Sequence, residues 1–378
     1  MPTVILTVAV VSAMLVYGLI AAMLGTIVPD LSRKFGLTSK QLGQMGLAQA
    51  AGLIAASLAA GPLIGWSSKK AALVGAMMVV AAGVYALERS ASYRSAVAAL
   101  FVIDCAGGTI VEAANSMTFE MGGALSEMMK ANLLNAAFCV GGVLTGFIGA
   151  NFCAAPSRVL RFLFGAALVS LALNVLNPIA GAGAAATSLL NASAVTGTGV
   201  FWLICCLFFF SIAAEIGMWN WLVPHLIAQG ISERSALNIL SLGFAAGLLA
   251  GRMIVVPILP PSVPTVAVTL AAAVAMAIAT FLMTRVRNRS AASAVVFGAG
   301  VAMGPVFPNC IAITNTRFGN DPTALGLALM AGWVGMAISS RAIGALAGDG
   351  HGVRLKNALL VVPGASVLLA GTCWLLMR

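Results

Sequence analysis

Charge is what this 378-residue chain has least of. Only 8% of its residues are Asp, Glu, Lys or Arg, against about 25% in a soluble globular domain. That scarcity excludes an ordinary soluble fold. The seven cysteines lie mostly inside apolar runs and show no metal-ligand spacing. They read as small hydrophobes of a membrane core, so neither a metal nor another cofactor is expected. No nucleophile–base pair stands out, and an enzyme is not expected. No basic segment precedes the first apolar run, which reads as a first span rather than a cleaved leader. The net charge of +10 does not point to nucleic acid. No basic face interleaved with aromatics occurs, and the basic residues sit singly or in twos and threes between apolar runs, as membrane-surface anchors do. The lipid bilayer is the expected partner.

What the chain has is apolar length. It is 61% hydrophobic with a mean hydropathy of +1.05. Cutting it at polar breaks gives twelve runs near the roughly 20 residues that cross a bilayer as helix: 3–29, 38–66, 70–87, 94–121, 128–154, 158–180, 199–226, 235–258, 263–284, 290–315, 322–347 and 353–377. Between the sixth and seventh lies "GAGAAATSLLNASAVTGTG", small and uncharged, with a linker's composition. The expected organisation is a six-helix half over 1–180, a linker over 181–198 and a second half over 199–378. "AAGLIA" (Ala50–Ala55) recurs as "AAGLLA" (Ala245–Ala250) 195 residues on, and "GTIVEAAN" (Gly108–Asn115) has a faint counterpart in "GPVFPN" (Gly304–Asn309) at an offset of 196. Two six-helix halves in parallel repeat are the architecture of major facilitator transporters. The expected fold class is an all-α membrane protein of twelve transmembrane helices.

An ionisable side chain inside a span costs about 2.5–3.5 kcal/mol on the insertion scale and is a functional candidate. Glu112 lies near the middle of the fourth span, with Asn115 on the same face at i+3 and Asp104 two turns earlier. Such a carboxylate can carry a proton or accept from a sugar hydroxyl; a structural pairing with an arginine is the alternative. Glu215 lies mid-span in "AAEIGMWNWLVPH", followed by Trp219, Asn220 and Trp221. A carboxylate, an amide and two indoles within two turns suit a polyol, although Trp221 also fits an interfacial belt. Arg341, about two turns inside the eleventh span, keeps its charge and must meet water, an anionic substrate, or a carboxylate such as Glu215 or Asp104. Asn135 and Asn309 add polar groups, and Pro308 frees a backbone carbonyl beside Asn309.

Three stretches together resemble the fucose–proton symporter family. "VEAANS" (Val111–Ser116) is similar to its fourth-helix L-E-T-A-A-N-P. "KANLLNAAFCVGG" (Lys130–Gly142) is similar to its fifth-helix R-x-N-L-x-Q-x-F-N-x-x-G. Ala213–Ile254 resembles its seventh and eighth helices, including G-x-E-V-G-I-W and a later Gly-Arg pair. The resemblance implies a secondary transporter of a neutral sugar or similar polyol, working by alternating access. Glu112 would be the proton-coupling residue, and Glu112, Asn115, Asn135, Glu215, Trp219, Asn220 and Asn309 would form the substrate site. Arg341 and Asp104 would be possible charge partners. The family's first-helix aspartate has no counterpart: Gly25 stands there, and Asp30 comes five residues later at the expected span end. Proton symport, sodium symport and uniport therefore all stay open. "GPLIGWSSKKAAL" (Gly61–Leu73) resembles the superfamily's G-x-x-x-D-R-x-G-R-K loop, with Gly65 and Trp66 in place of the Asp-Arg pair. Gly61, Lys69, Lys70 and Arg252 are the expected conformational-loop residues.

Orientation divides the signals. The resemblance implies a monomer in a bacterial inner membrane, with both termini cytoplasmic. The loops after odd-numbered spans, however, carry thirteen basic residues against six on the other side, and positive-inside would make that first group cytoplasmic. The family topology is the expectation adopted. Two other functions fit such a bundle: a drug or metabolite efflux antiporter for lipophilic or cationic compounds, which a cavity richer in aromatics and Met than in amides would favour, and a transporter-like nutrient sensor that binds without flux.

Overall fold

In the computed structural model, the described residues are 2–118, 127–152, 156–176, 195–255, 258, 263–318, 322–348 and 353–378. They form twelve helices long and apolar enough to cross a membrane. We number these α1 Val8–Phe35, α2 Ser39–Ala59, α3 Lys69–Glu88, α4 Tyr93–Asn115, α5 Asn132–Asn151, α6 Arg158–Leu176, α7 Gly199–Ala228, α8 Glu233–Met253, α9 Thr265–Met283, α10 Arg289–Phe318, α11 Ala324–Ala347 and α12 Arg354–Leu376. The chain is thus an all-α integral membrane protein, as the apolar runs imply. Of the expected linker 181–198, residues 181–194 lie outside the described residues.

Small polar residues start these helices by capping their free N–H groups. Thr38 and Gln41 make a reciprocal capping box at α2. The side chains of Ser68, Thr198, Ser232 and Asn288 accept from the first turns of α3, α7, α8 and α10. Two boundaries differ from expectation. Helix α1 does not stop near residue 29 but runs through Pro29 to Phe35, where Gly36 takes the left-handed conformation (φ 61°) and its N–H reaches the Ser32 carbonyl. Asp30 is therefore helical and pairs with Arg33 one turn on. The expected loop between the second and third spans is mostly helix. The helix that contains α2 continues to Trp66, so Gly61 is helical, and Lys69 and Lys70 open α3 after a two-residue link, Ser67–Ser68.

Packing repeats at an interval of six helices. In the first half α1 packs on α5 and α6, α2 on α4, and α3 on α4 and α6. In the second half α7 packs on α11 and α12, α8 on α10, and α9 on α10 and α12. The halves meet along α2–α11, α5–α8 and α1–α7. Helix α8 is irregular: Ile239–Ala245 and Gly251–Val255 wind as wide π turns. Such turns re-aim side chains and recur at functional sites. The second one carries Arg252.

Candidate functional site

Where the halves meet, one cavity of about 60 Å³ is lined from both of them. That is room for a few waters. Asp104, Asn135, Glu215, Asn220 and Arg252 all line it. So do Tyr17 and Gln49, which sequence reasoning missed. A glutamine within the apolar run of α2 was the available signal for Gln49; Tyr17 gave none beyond its hydroxyl. The remaining wall is apolar, with Met14, Leu53, Phe138, Phe307, Trp333 and Met336 among it.

Arg252 organises the second-half wall. It was expected as a conformational-loop residue, yet it is 2% exposed and lies in the cavity wall. Its Nε donates to the Gly304 carbonyl at 2.8 Å, and Nη1 donates to the Asn135 carbonyl at 2.8 Å. Nη1 also lies 2.8 Å from Cys139 Sγ. The Gly304 carbonyl is available for a covalent reason. Its helical donor would be the N–H four residues on, and that residue is Pro308, which has none. The carbonyl freed near Asn309 is thus taken by an arginine from the neighbouring helix. Nη2 reaches Glu215 Oε1 at 4.0 Å, and Trp219 Nε1 donates to the same oxygen at 3.4 Å. Arg252, α8 to α7, is therefore the cation beside Glu215.

Arg341, offered as that partner, is elsewhere. It is exposed on the bundle surface, six residues before the end of α11 and hence about 9 Å from that end. A long side chain there can extend its charge to the interface. Trp219 is buried away from the cavity. Its ring packs edge-on against Phe244, centroids 5.1 Å apart. The indole in the cavity is Trp333. Asn309 is buried and donates to Thr269 Oγ1 at 3.2 Å, tying α10 to α9, and it is not among the residues lining the cavity.

On α4 the inward stripe runs through Asp104 and Val111, seven residues apart and so nearly in line. Glu112 is turned about 100° from Val111 and lies next to the Ser57 hydroxyl of α2. Ser57 Oγ in turn accepts from Trp333 Nε1 of α11 at 3.2 Å. Glu112 is thus one side chain removed from the seam between halves, rather than on the cavity surface. Asn115 bonds its own helix at the Val111 carbonyl, 2.9 Å. Gln49 stands beside Asp104. Among the described residues, four buried polar atoms here have no hydrogen-bond partner: Asp104 Oδ2, Gln49 Oε1, Glu112 Oε1 and Asn220 Nδ2.

The absent first-helix aspartate has a steric explanation. A Cβ at Gly25 would collide with the backbone carbonyl of Trp219 on α7. Any side chain there would force α1 and α7 apart, so the position cannot carry an acid in this packing.

No protein-family model matches the chain, and no curated protein is similar to it in sequence. Solved structures are similar over nearly its whole length. The human organic anion transporter MFSD10 (TETRAN) shares 15% identity with 100% of both chains covered, at a TM-score of 0.78. A bacterial homologue of the human lysosomal transporter Spinster, inward-facing and unoccupied, shares 12% identity over 99% of this chain and 96% of that one, at 0.76. The Escherichia coli fucose:proton symporter FucP, as a variant with one substitution, shares 15% over 97% of each chain, at 0.70. At such identities the likeness carries the fold alone, and that fold is the major facilitator fold of twelve helices in two halves.

Proposed function

We propose that the protein is a secondary transporter that moves a small organic solute across the membrane by alternating access, with the cavity between its halves as the binding site. One observation carries this reading: buried or half-buried polar side chains from both halves, Asp104 and Asn135 on one side and Glu215, Asn220 and Arg252 on the other, line a single cavity. A site shared by two rigid halves changes shape when they rock, which is what alternating access requires. Six aromatic or Met side chains line the cavity against three amides. That balance supports a solute with an apolar body over a sugar. A neutral sugar or polyol is the second reading, favoured by the sequence resemblance and by the fucose:proton symporter among the structural relatives.

Coupling belongs to the same proposal. Glu112, beside Ser57 and the cross-half bond from Trp333, is where gain or loss of a proton would act on the seam. In proteoliposomes under a proton gradient, Glu112→Gln is expected to abolish solute accumulation and leave exchange intact. Undiminished accumulation would remove Glu112 from coupling. Absence of any flux or exchange, for sugars and amphiphiles alike, would leave a binding protein and overturn the transporter reading.

A further inference from the structure

The charges around the cavity do not balance, and the imbalance has a location. On the second-half wall Glu215 has Arg252 beside it. On the first-half wall Asp104 is 3% exposed and forms no ion pair among the described residues. Its neighbour Gln49 is equally buried. Asp104 Oδ2 and Gln49 Oε1 both lack hydrogen-bond partners among the described residues, and both residues line the cavity. Even with Gln49 hydrogen-bonded to Asp104, one oxygen of each is left without a donor. A buried carboxylate without a counter-charge is costly in a low dielectric. A hydroxyl would supply the hydrogen bond but not the charge. An ammonium group supplies both.

The surrounding wall fits the rest of such a molecule. Tyr17 of α1 lines the cavity from the same half as the acid, and Phe307, Trp333 and Met336 line it from the other half. Aromatic faces attract cations as well as apolar surface.

We propose that the cavity binds an organic cation: an amphipathic amine whose ammonium is held by Asp104 and Gln49 and whose apolar body lies against Trp333, Phe307 and Met336. This rests on the cavity being the transport site, widening from about 60 Å³ as the halves part, and names its substrate class. Asn220 Nδ2, a donor without a partner on the far wall, would take a neutral oxygen acceptor elsewhere on the ligand.

The test is a head-group series on one apolar body: 3-phenylpropylamine, 3-phenylpropanol and 3-phenylpropanoate, titrated calorimetrically into the purified full-length protein. The amine is expected to bind roughly tenfold or more tighter than the alcohol, the step between a charge-assisted and a neutral hydrogen bond. The carboxylate is expected to bind weakest. Asp104→Asn should bring the amine down to the level of the alcohol. Gln49→Leu should weaken the amine by a smaller factor. Replacing potassium by sodium should not alter the amine's affinity. Equal binding of amine and alcohol, preference for the carboxylate, binding of none of the three, or competition by sodium would each overturn the proposal. The wild-type series decides this even where a variant fails to fold. A sugar that is transported while the amine is neither bound nor moved would sink the cation proposal and leave the transporter reading standing.

Discussion

Arg252 shows how one side chain joins three helices. Its guanidinium satisfies carbonyls on α10 and α5 and faces a carboxylate on α7. Removing one partner of a buried pair typically costs about 3–5 kcal/mol, because the other charge is left alone. Arg252→Met is therefore expected to lower the melting temperature strongly, and Glu215→Gln added to it to recover part of the loss. A double variant no more stable than the single one would mean that Glu215 does not feel Arg252 across 4.0 Å. The sequence marked Arg252 as notable and gave its neighbour Gly251, but it could not say that the wide turn Gly251–Val255 aims the side chain inward. A freed carbonyl four residues before Pro308 was legible. The donor it would meet was not, because α8 and α10 approach only in the folded bundle.

Helix seams differ in what they do. The seam of α8 with α10 lies within one half. There a Cβ at Gly300 would come within 3.0 Å of the Gly247 Cα. The seam of α2 with α11 joins the two halves. There a Cβ at Gly344 would meet the Ser39 carbonyl at 2.8 Å and the Gly43 Cα at 3.1 Å. Small residues permit both approaches, yet a wedge should act differently at each. Gly300→Val overpacks a permanent core contact and is expected to cost about 1–3 kcal/mol, read as a lowered melting temperature. Gly344→Val strains a contact that, on the proposed transport cycle, must break. It should leave the melting temperature nearly unchanged and speed thiol labelling of a cysteine introduced into the cavity from the Ser39 end. Equal thermal losses for both variants would argue that the α2–α11 seam is as permanent as the α8–α10 seam.

At the scale of the molecule, the end of the bundle that holds the loops after odd-numbered spans is closed by contacts between halves. Arg33 donates to Glu233 at 2.7 Å, and Asn151 donates to Asn238 at 2.8 Å. Exposed pairs of this kind add about 0–1 kcal/mol each, so they mark the closed end without locking it. Which compartment that end faces follows from the orientation. With both termini cytoplasmic, single cysteines at positions 89 and 190 should divide: an impermeant reagent on intact cells modifies position 89 and spares 190. Modification of position 190 alone would invert the protein, agree with its loop charges, and turn the closed end toward the cytoplasm.

The sequence alone determined the class, the number of spans and most of their limits. Each of these depends on local quantities: apolar length against bilayer thickness, capping residues, and prolines that withhold an N–H. It also singled out the buried polar residues, because an ionisable side chain in hydrocarbon is conspicuous wherever it points. Which of them share a cavity was decided by the tertiary structure. Asp104 and Glu215 reach it, while Glu112, Trp219, Asn309 and Arg341 face other helices or the bundle surface. The physical reason is that a helix offers a residue every 100° of direction, and only the neighbours that pack against it determine which directions lead to a shared space. Gly25 belongs to the same lesson. Its lack of a side chain was visible from the start, and the carbonyl of Trp219 pressed against it became visible only when α1 and α7 were placed together.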